Sequence, residues 1–204
     1  MRDNTPATFY LLLTITAVYI LQLATLSVFG ADAHNELFVL ELSELGDVWS
    51  WITSLFAHSP TSPYHILANG IVLFFFGRYA ERLLGVKRYV VFFLVAGVLA
   101  SLTQVLIYQL TGDVGGLLGA SGAVSAMVGL LTAFIPDKTV YLYALVPLPL
   151  WLLSLFFGLF SAVSLVVGFG GVAHGAHLAG LLLGVGYGLY LQQQPTETAR
   201  PLVE

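Results

Sequence analysis

The sequence predicts an all-α membrane protein: a polytopic bundle of six transmembrane helices with both termini cytoplasmic. Three observations predict it. Of 204 residues, 58% are hydrophobic and only 9% charged, and the mean hydropathy of +0.90 suits lipid better than water. Six stretches approach the roughly 20 apolar residues needed to cross a hydrocarbon core. The basic residues, finally, all fall on one side of a six-span topology, which marks that side as cytoplasmic.

The first stretch, about 8–30, follows the lone early Arg2 and has no small-residue cleavage site, so it reads as a span and not a removable signal peptide. A long outer loop, 31–63, carries Asp32, Glu36, Glu41, Glu44 and Asp47. The second span, about 64–83, holds His65, Asn69 and the run Phe74–Phe76, which reads as lipid-facing or core-filling. The third covers about 88–110. Asp113 marks the next outer loop, and the fourth span, about 117–135, opens on Gly119-Ala120-Ser121-Gly122. Residues 138–148 read as a loop or surface helix, because Pro147 and Pro149 oppose smooth continuation. The fifth and sixth spans cover about 149–168 and 172–192, the last with His174 and His177. Residues 1–192 thus read as one domain and 193–204 as a short cytoplasmic tail, with no internal repeat. Arg2, Arg78, Arg82, Lys87, Arg88, Lys138 and Arg200 share the inner side.

Composition excludes several function classes. The chain has no Cys, which removes disulfides, thiolate metal sites and cysteine nucleophiles. Seven basic residues against 11 acidic ones argue against a nucleic-acid partner. A metalloprotease reading has little support, because zinc catalysis needs three protein ligands and a water and no His-x-x-x-His with a glutamate lies within the spans; His174 and His177, three apart on one helix, are the metal ligands left to consider, together with His65.

Polar groups inside spans are costly and mark function or interhelical contact. Here the topology places four of them at one depth below the outer surface: His65 and Asn69 one turn apart on span two, Ser121 on span four and His177 on span six. Gly180, Gly184 and Gly188 form a small-residue ridge on span six. Gly122, Ser125, Ala126 and Gly129 form small faces on span four. Such faces let backbones approach closely enough for a serine to reach an imidazole, which can act as general base. The Ser121 N–H, His65 and Asn69 can then serve as oxyanion donors. Each residue taken singly also has an ordinary reading: Ser121 and Asn69 as interhelical glue, a histidine as a polar contact or part of an ion path, and His34 as a solvated loop residue. His58 stands close enough to span two to matter. Trp49, Trp51 and Trp151 read as interface anchors.

Together these residues resemble the rhomboid family of intramembrane serine proteases. The resemblance rests on Trp49-Ser50-Trp51 through Ala57-His58, His65-Ile66-Leu67-Ala68-Asn69, Phe76-Gly77-Arg78, Glu81-Arg82-Leu83-Leu84-Gly85, Gly119-Ala120-Ser121-Gly122 and Ala176-His177-Leu178-Ala179-Gly180, in family order over roughly 49–188. It implies a six-helix rhomboid-like bundle in the cell membrane, with Ser121 as nucleophile and His177 as its base. His65 and Asn69 then fall on the oxyanion side, and Ser125, His174, Gly119 and Gly122 surround the reacting groups. It further implies transmembrane protein substrates, a site open to the non-cytoplasmic side and no cofactor.

Two positions depart from the family pattern. Ser50 stands where an arginine usually follows the tryptophan, and Ser125 where an aromatic often stacks on the histidine. Imidazole orientation is therefore expected to depend on another side chain or on a hydrogen bond from Ser125. A non-catalytic rhomboid-like binder of membrane helices is the rival reading, which the retained serine and histidine oppose. A transporter is opposed by the missing inverted repeat and the absence of a mid-span acid.

Overall fold

The computed structural model describes residues 5–142, 145–169 and 171–194. Arg2, Arg200 and the tail from Pro195 onward lie outside them. The helices are α1 (Pro6–Phe38), α2 (Ser50–Phe56), α3 (Pro63–Val72), α4 (Arg78–Leu84), α5 (Val86–Thr111), α6 (Ser121–Phe134), α7 (Leu150–Val167) and α8 (His174–Gln192). A π-helical turn, Leu73–Gly77, joins α3 to α4 with helical backbone angles at both junctions. Each predicted apolar stretch contains a helix. Among the described residues, three helices (α1, α5 and α7) are long and apolar enough to cross a membrane, and α6 is a shorter apolar helix. The protein is an all-α, largely membrane-embedded bundle.

Helix α6 is the axis of the core, with every residue from Gly122 to Leu131 buried. Helix α8 lies directly on it, and the small residues explain how. A methyl group at Gly180 would strike the Gly122 carbonyl, one at Gly184 the Ala126 carbonyl, and one at Gly129 the Leu181 carbonyl. The two backbones therefore touch, and dispersion does what water-driven burial cannot do in lipid.

Polar tethers hold α1 to this core. The buried Glu81 carboxylate accepts hydrogen bonds from the Ala7 N–H (3.0 Å), the Thr8 N–H (2.8 Å) and the Thr8 hydroxyl (2.7 Å). It caps an α1 start that has no capping side chain of its own. Farther along α1, the buried Gln22 amide pairs with the His58 backbone in both directions. Its oxygen accepts from the His58 N–H at 2.8 Å, and its nitrogen donates to the His58 carbonyl at 3.1 Å.

Three expectations change. Helix α1 runs on to Phe38, bending at Gly30 (φ 87°, ψ −176°), so the first eight residues of the expected 31–63 loop are helical. His34 is buried and not solvated: its Nε2 lies 3.0 Å from Gln22 Nε2, because the bend turns it back against α1. Residues 138–148 contain a strand pair and not a surface helix. There β3 (Thr139–Leu142) and β4 (Val146–Pro149) pair antiparallel, with Thr139 opposite Pro149. β-Branched Thr139, Val140 and Val146 favour strand, and proline is tolerated on an edge.

Candidate active site

Ser121 is the first residue of α6, after Ala120 at the N-cap. A sharp turn aims it. Gly119 has φ of 124°, a backbone region that side chains resist, and its N–H donates to the Ser54 carbonyl at 2.8 Å. Upstream, β1 (Leu40–Glu41) pairs antiparallel with β2 (Gly116–Leu117). Strand β1 and α2 therefore fix the segment that delivers the serine. Ser50 contributes to the same loop: its hydroxyl donates to the Asp47 carbonyl at 2.6 Å. The Thr53 hydroxyl donates to the Leu37 carbonyl and the Trp51 indole N–H to the Leu45 carbonyl. These local bonds tie α2 to the chain that precedes it.

His177 lies in the first turn of α8, and its Nε2 stands 2.8 Å from Ser121 Oγ, across 56 residues of chain. Both side chains are half-buried, so they remain reachable. At this distance an imidazole nitrogen can accept the hydroxyl proton. The Ser121 N–H belongs to a helix start, where no intrahelical acceptor exists.

His65 flanks the same glycine turn. A methyl group on Gly119 would lie 2.8 Å from both His65 Nε2 and Cε1, and 3.8 Å from Ser121 Oγ. The Ser59 N–H donates to His65 Nδ1 at 3.3 Å, which makes Nδ1 the acceptor and leaves the ring proton on Nε2, toward Gly119. Asn69 is buried one turn later, and its Nδ2 donates to the His65 carbonyl at 2.9 Å. That bond braces the helix under His65 and uses one amide hydrogen. His58 packs edge-on to His65, ring centroids 4.9 Å apart. Burial pushes the His58 pKa from 6.5 down to about 4, and the neighbouring His65 adds to the effect.

The surrounding residues have distinct places. The Ser125 hydroxyl turns back to donate to the Ser121 carbonyl at 2.7 Å, within its own helix. The ring against His177 is that of Phe157 on α7, centroids 5.7 Å apart and planes tilted by 31°. His174 is buried, edge-on to His177 at 6.0 Å. A methyl at Gly122 would meet Ala100 Cβ at 2.7 Å and the Ala176 carbonyl at 3.7 Å, so this glycine lets α5 and α8 close around the serine. Sequence reasoning missed Gln22, Phe157 and the Ser59 N–H. A glutamine amid apolar residues of a predicted span was a readable signal for the first. The other two carry no pattern of their own.

A family model described as Rhomboid domain matches residues 45–194. The "Presenilin-associated rhomboid-like protein, mitochondrial" of Rattus norvegicus is 28% identical over 158 residues, covering 75% of this chain and 41% of the relative. The Homo sapiens protein of the same name is also 28% identical, with 75% and 40% covered. The "Rhomboid protein 1, mitochondrial" of Saccharomyces cerevisiae is 30% identical over 148 residues, covering 71% of this chain and 42% of that one. The chain thus spans about two fifths of the length of these curated relatives.

Proposed function

This chain belongs to the rhomboid family, and we propose that it is an intramembrane serine endopeptidase that hydrolyses peptide bonds in or near transmembrane segments of other membrane proteins. The observation that carries the proposal is the 2.8 Å contact between His177 Nε2 and Ser121 Oγ. Ser121 Oγ attacks the substrate carbonyl carbon while His177 Nε2 takes its proton. The tetrahedral oxyanion receives the Ser121 N–H and the His65 Nε2–H, with the free hydrogen of the Asn69 amide as a further donor. The His177 imidazolium then protonates the leaving amine as the C–N bond breaks. Water, deprotonated by the same imidazole, hydrolyses the acyl-serine ester and restores the hydroxyl. The two side chains and water suffice, without a cofactor.

We place this domain, 1–192, in the cell membrane as six spans with cytoplasmic termini and a site facing the non-cytoplasmic side. The distribution of basic residues supports that orientation. Substrate helices must lose local helical hydrogen bonding before Ser121 can reach a carbonyl, which favours helix-destabilising residues near the cut.

Ser121→Ala is expected to abolish cleavage of a reconstituted transmembrane substrate and labelling by a serine-directed fluorophosphonate, with the protein still folded. Undiminished turnover in this variant would sink the mechanism. His177→Ala should be nearly as damaging, Asn69→Ala partial because a backbone donor remains, and His174→Ala much milder. Equal losses for His174→Ala and His177→Ala would reverse the choice of base.

A further inference from the structure

The hydrogen bond to Ser121 pins one atom of the His177 ring and leaves the plane of the ring to be set by its neighbours. Helix α6 offers no aromatic wall beside the site, since Gly122, Ser125 and Ala126 are small and the Ser125 hydroxyl is committed to its own helix. Helix α7 does offer one. Phe157 and Phe160, three residues apart on α7, face His177 and His174, three apart on α8. The Phe157–His177 pair lies at 5.7 Å and 31°, and the Phe160–His174 pair at 5.6 Å and 80°. Both distances fall within the 4.5–7 Å over which aromatic rings attract. The two histidines stand edge-on to one another, so four rings interlock, two from each helix.

We propose that Phe157 is a positioning residue that holds the His177 imidazole in line with Ser121, an inference that rests on the protease reading above. The reactivity of Ser121 then depends on a helix that supplies neither reacting group. Ring–ring contact, and not volume alone, carries the effect. Phe157→Leu keeps an apolar side chain but removes the ring, whereas Phe157→Tyr keeps the ring.

The test uses the full chain, purified in detergent and reconstituted. Phe157→Leu is expected to slow fluorophosphonate labelling of Ser121 and to lower kcat about two- to tenfold, the range that an aromatic pair contributes, with KM unchanged. Phe157→Tyr should stay within about twofold of wild type. In histidine-labelled protein, the ring-current shift of the His177 ring protons, assigned with His177→Ala, should vanish in Phe157→Leu and persist in Phe157→Tyr. If Phe157→Leu lowers the unfolding midpoint, Phe157→Met serves as the ring-free variant. Equal labelling of wild type and the ring-free variant, or an unchanged His177 shift, overturns the positioning role alone. A wild-type chain that does not label at Ser121 refutes the protease reading and the positioning role with it, even where the ring-current shift is present.

Discussion

Replacing Gly119 with alanine is expected to cripple the site while adding a single methyl group. That methyl would lie 2.8 Å from His65 Nε2 and Cε1, where carbon contacts rest at about 3.5–4.0 Å, so the ring must retreat by roughly 1 Å. A displacement of that size at a reacting centre costs on the order of 100-fold in rate. The φ of 124° at this residue adds backbone strain, about 1–3 kcal/mol for a non-glycine residue. The assay is kcat/KM on a reconstituted transmembrane substrate, paired with an unfolding midpoint and repeated in a His65→Ala background. If the methyl acts through the imidazole, Gly119→Ala should cost far less once His65 is gone, because the two changes share one contact. Full activity in Gly119→Ala, or an identical loss in both backgrounds, would refute the reasoning.

His58 should make stability depend on pH. Its folded pKa of about 4 lies below the usual 6.5, so the unfolded chain takes up a proton first. Stability is full above about pH 6.5 and falls by roughly 3 kcal/mol as pH drops toward 4; His58→Gln should flatten that part of a pH series of denaturation midpoints. Glu81→Ala leaves the Ala7 and Thr8 N–H groups unpaired and should lower unfolding free energy by on the order of 3 kcal/mol, measured by denaturant titration in detergent. Gly184→Ala forces a methyl into the Ala126 carbonyl and should cost about 1–3 kcal/mol by overpacking. Gly186→Ala meets nothing within 4 Å and should be neutral or stabilising by up to about 1 kcal/mol; equal thermal shifts for the two would contradict the backbone contact between α6 and α8.

Much of the fold was legible because hydropathy is local. Each predicted stretch contains a helix, and the small-residue ridge of Gly180 and Gly184 meets the face carrying Gly122 and Ala126. What escaped depended on neighbours distant in sequence. His34 looked solvated until the bend at Gly30 buried it against Gln22. Residues 138–148 were ambiguous because an apolar segment with prolines suits an edge strand as well as a loop. Asn69 was legible as a polar residue one turn from His65, but the direction of its amide was not.

The sequence alone determined that this chain belongs in lipid and where its six apolar stretches lie, and it singled out Ser121, His65 and His177 as candidates, since composition and motif order need no third dimension. Only the tertiary structure decided that His177 Nε2 meets Ser121 Oγ at 2.8 Å, that His65 presents Nε2 to the Gly119 turn, and that the ring against the imidazole comes from Phe157 of α7. The physical reason is that hydropathy sets how deep a residue sits in a bilayer, whereas rotation about each helix axis is set by packing. Here that packing is backbone against backbone between α6 and α8, and ring against ring between α7 and α8.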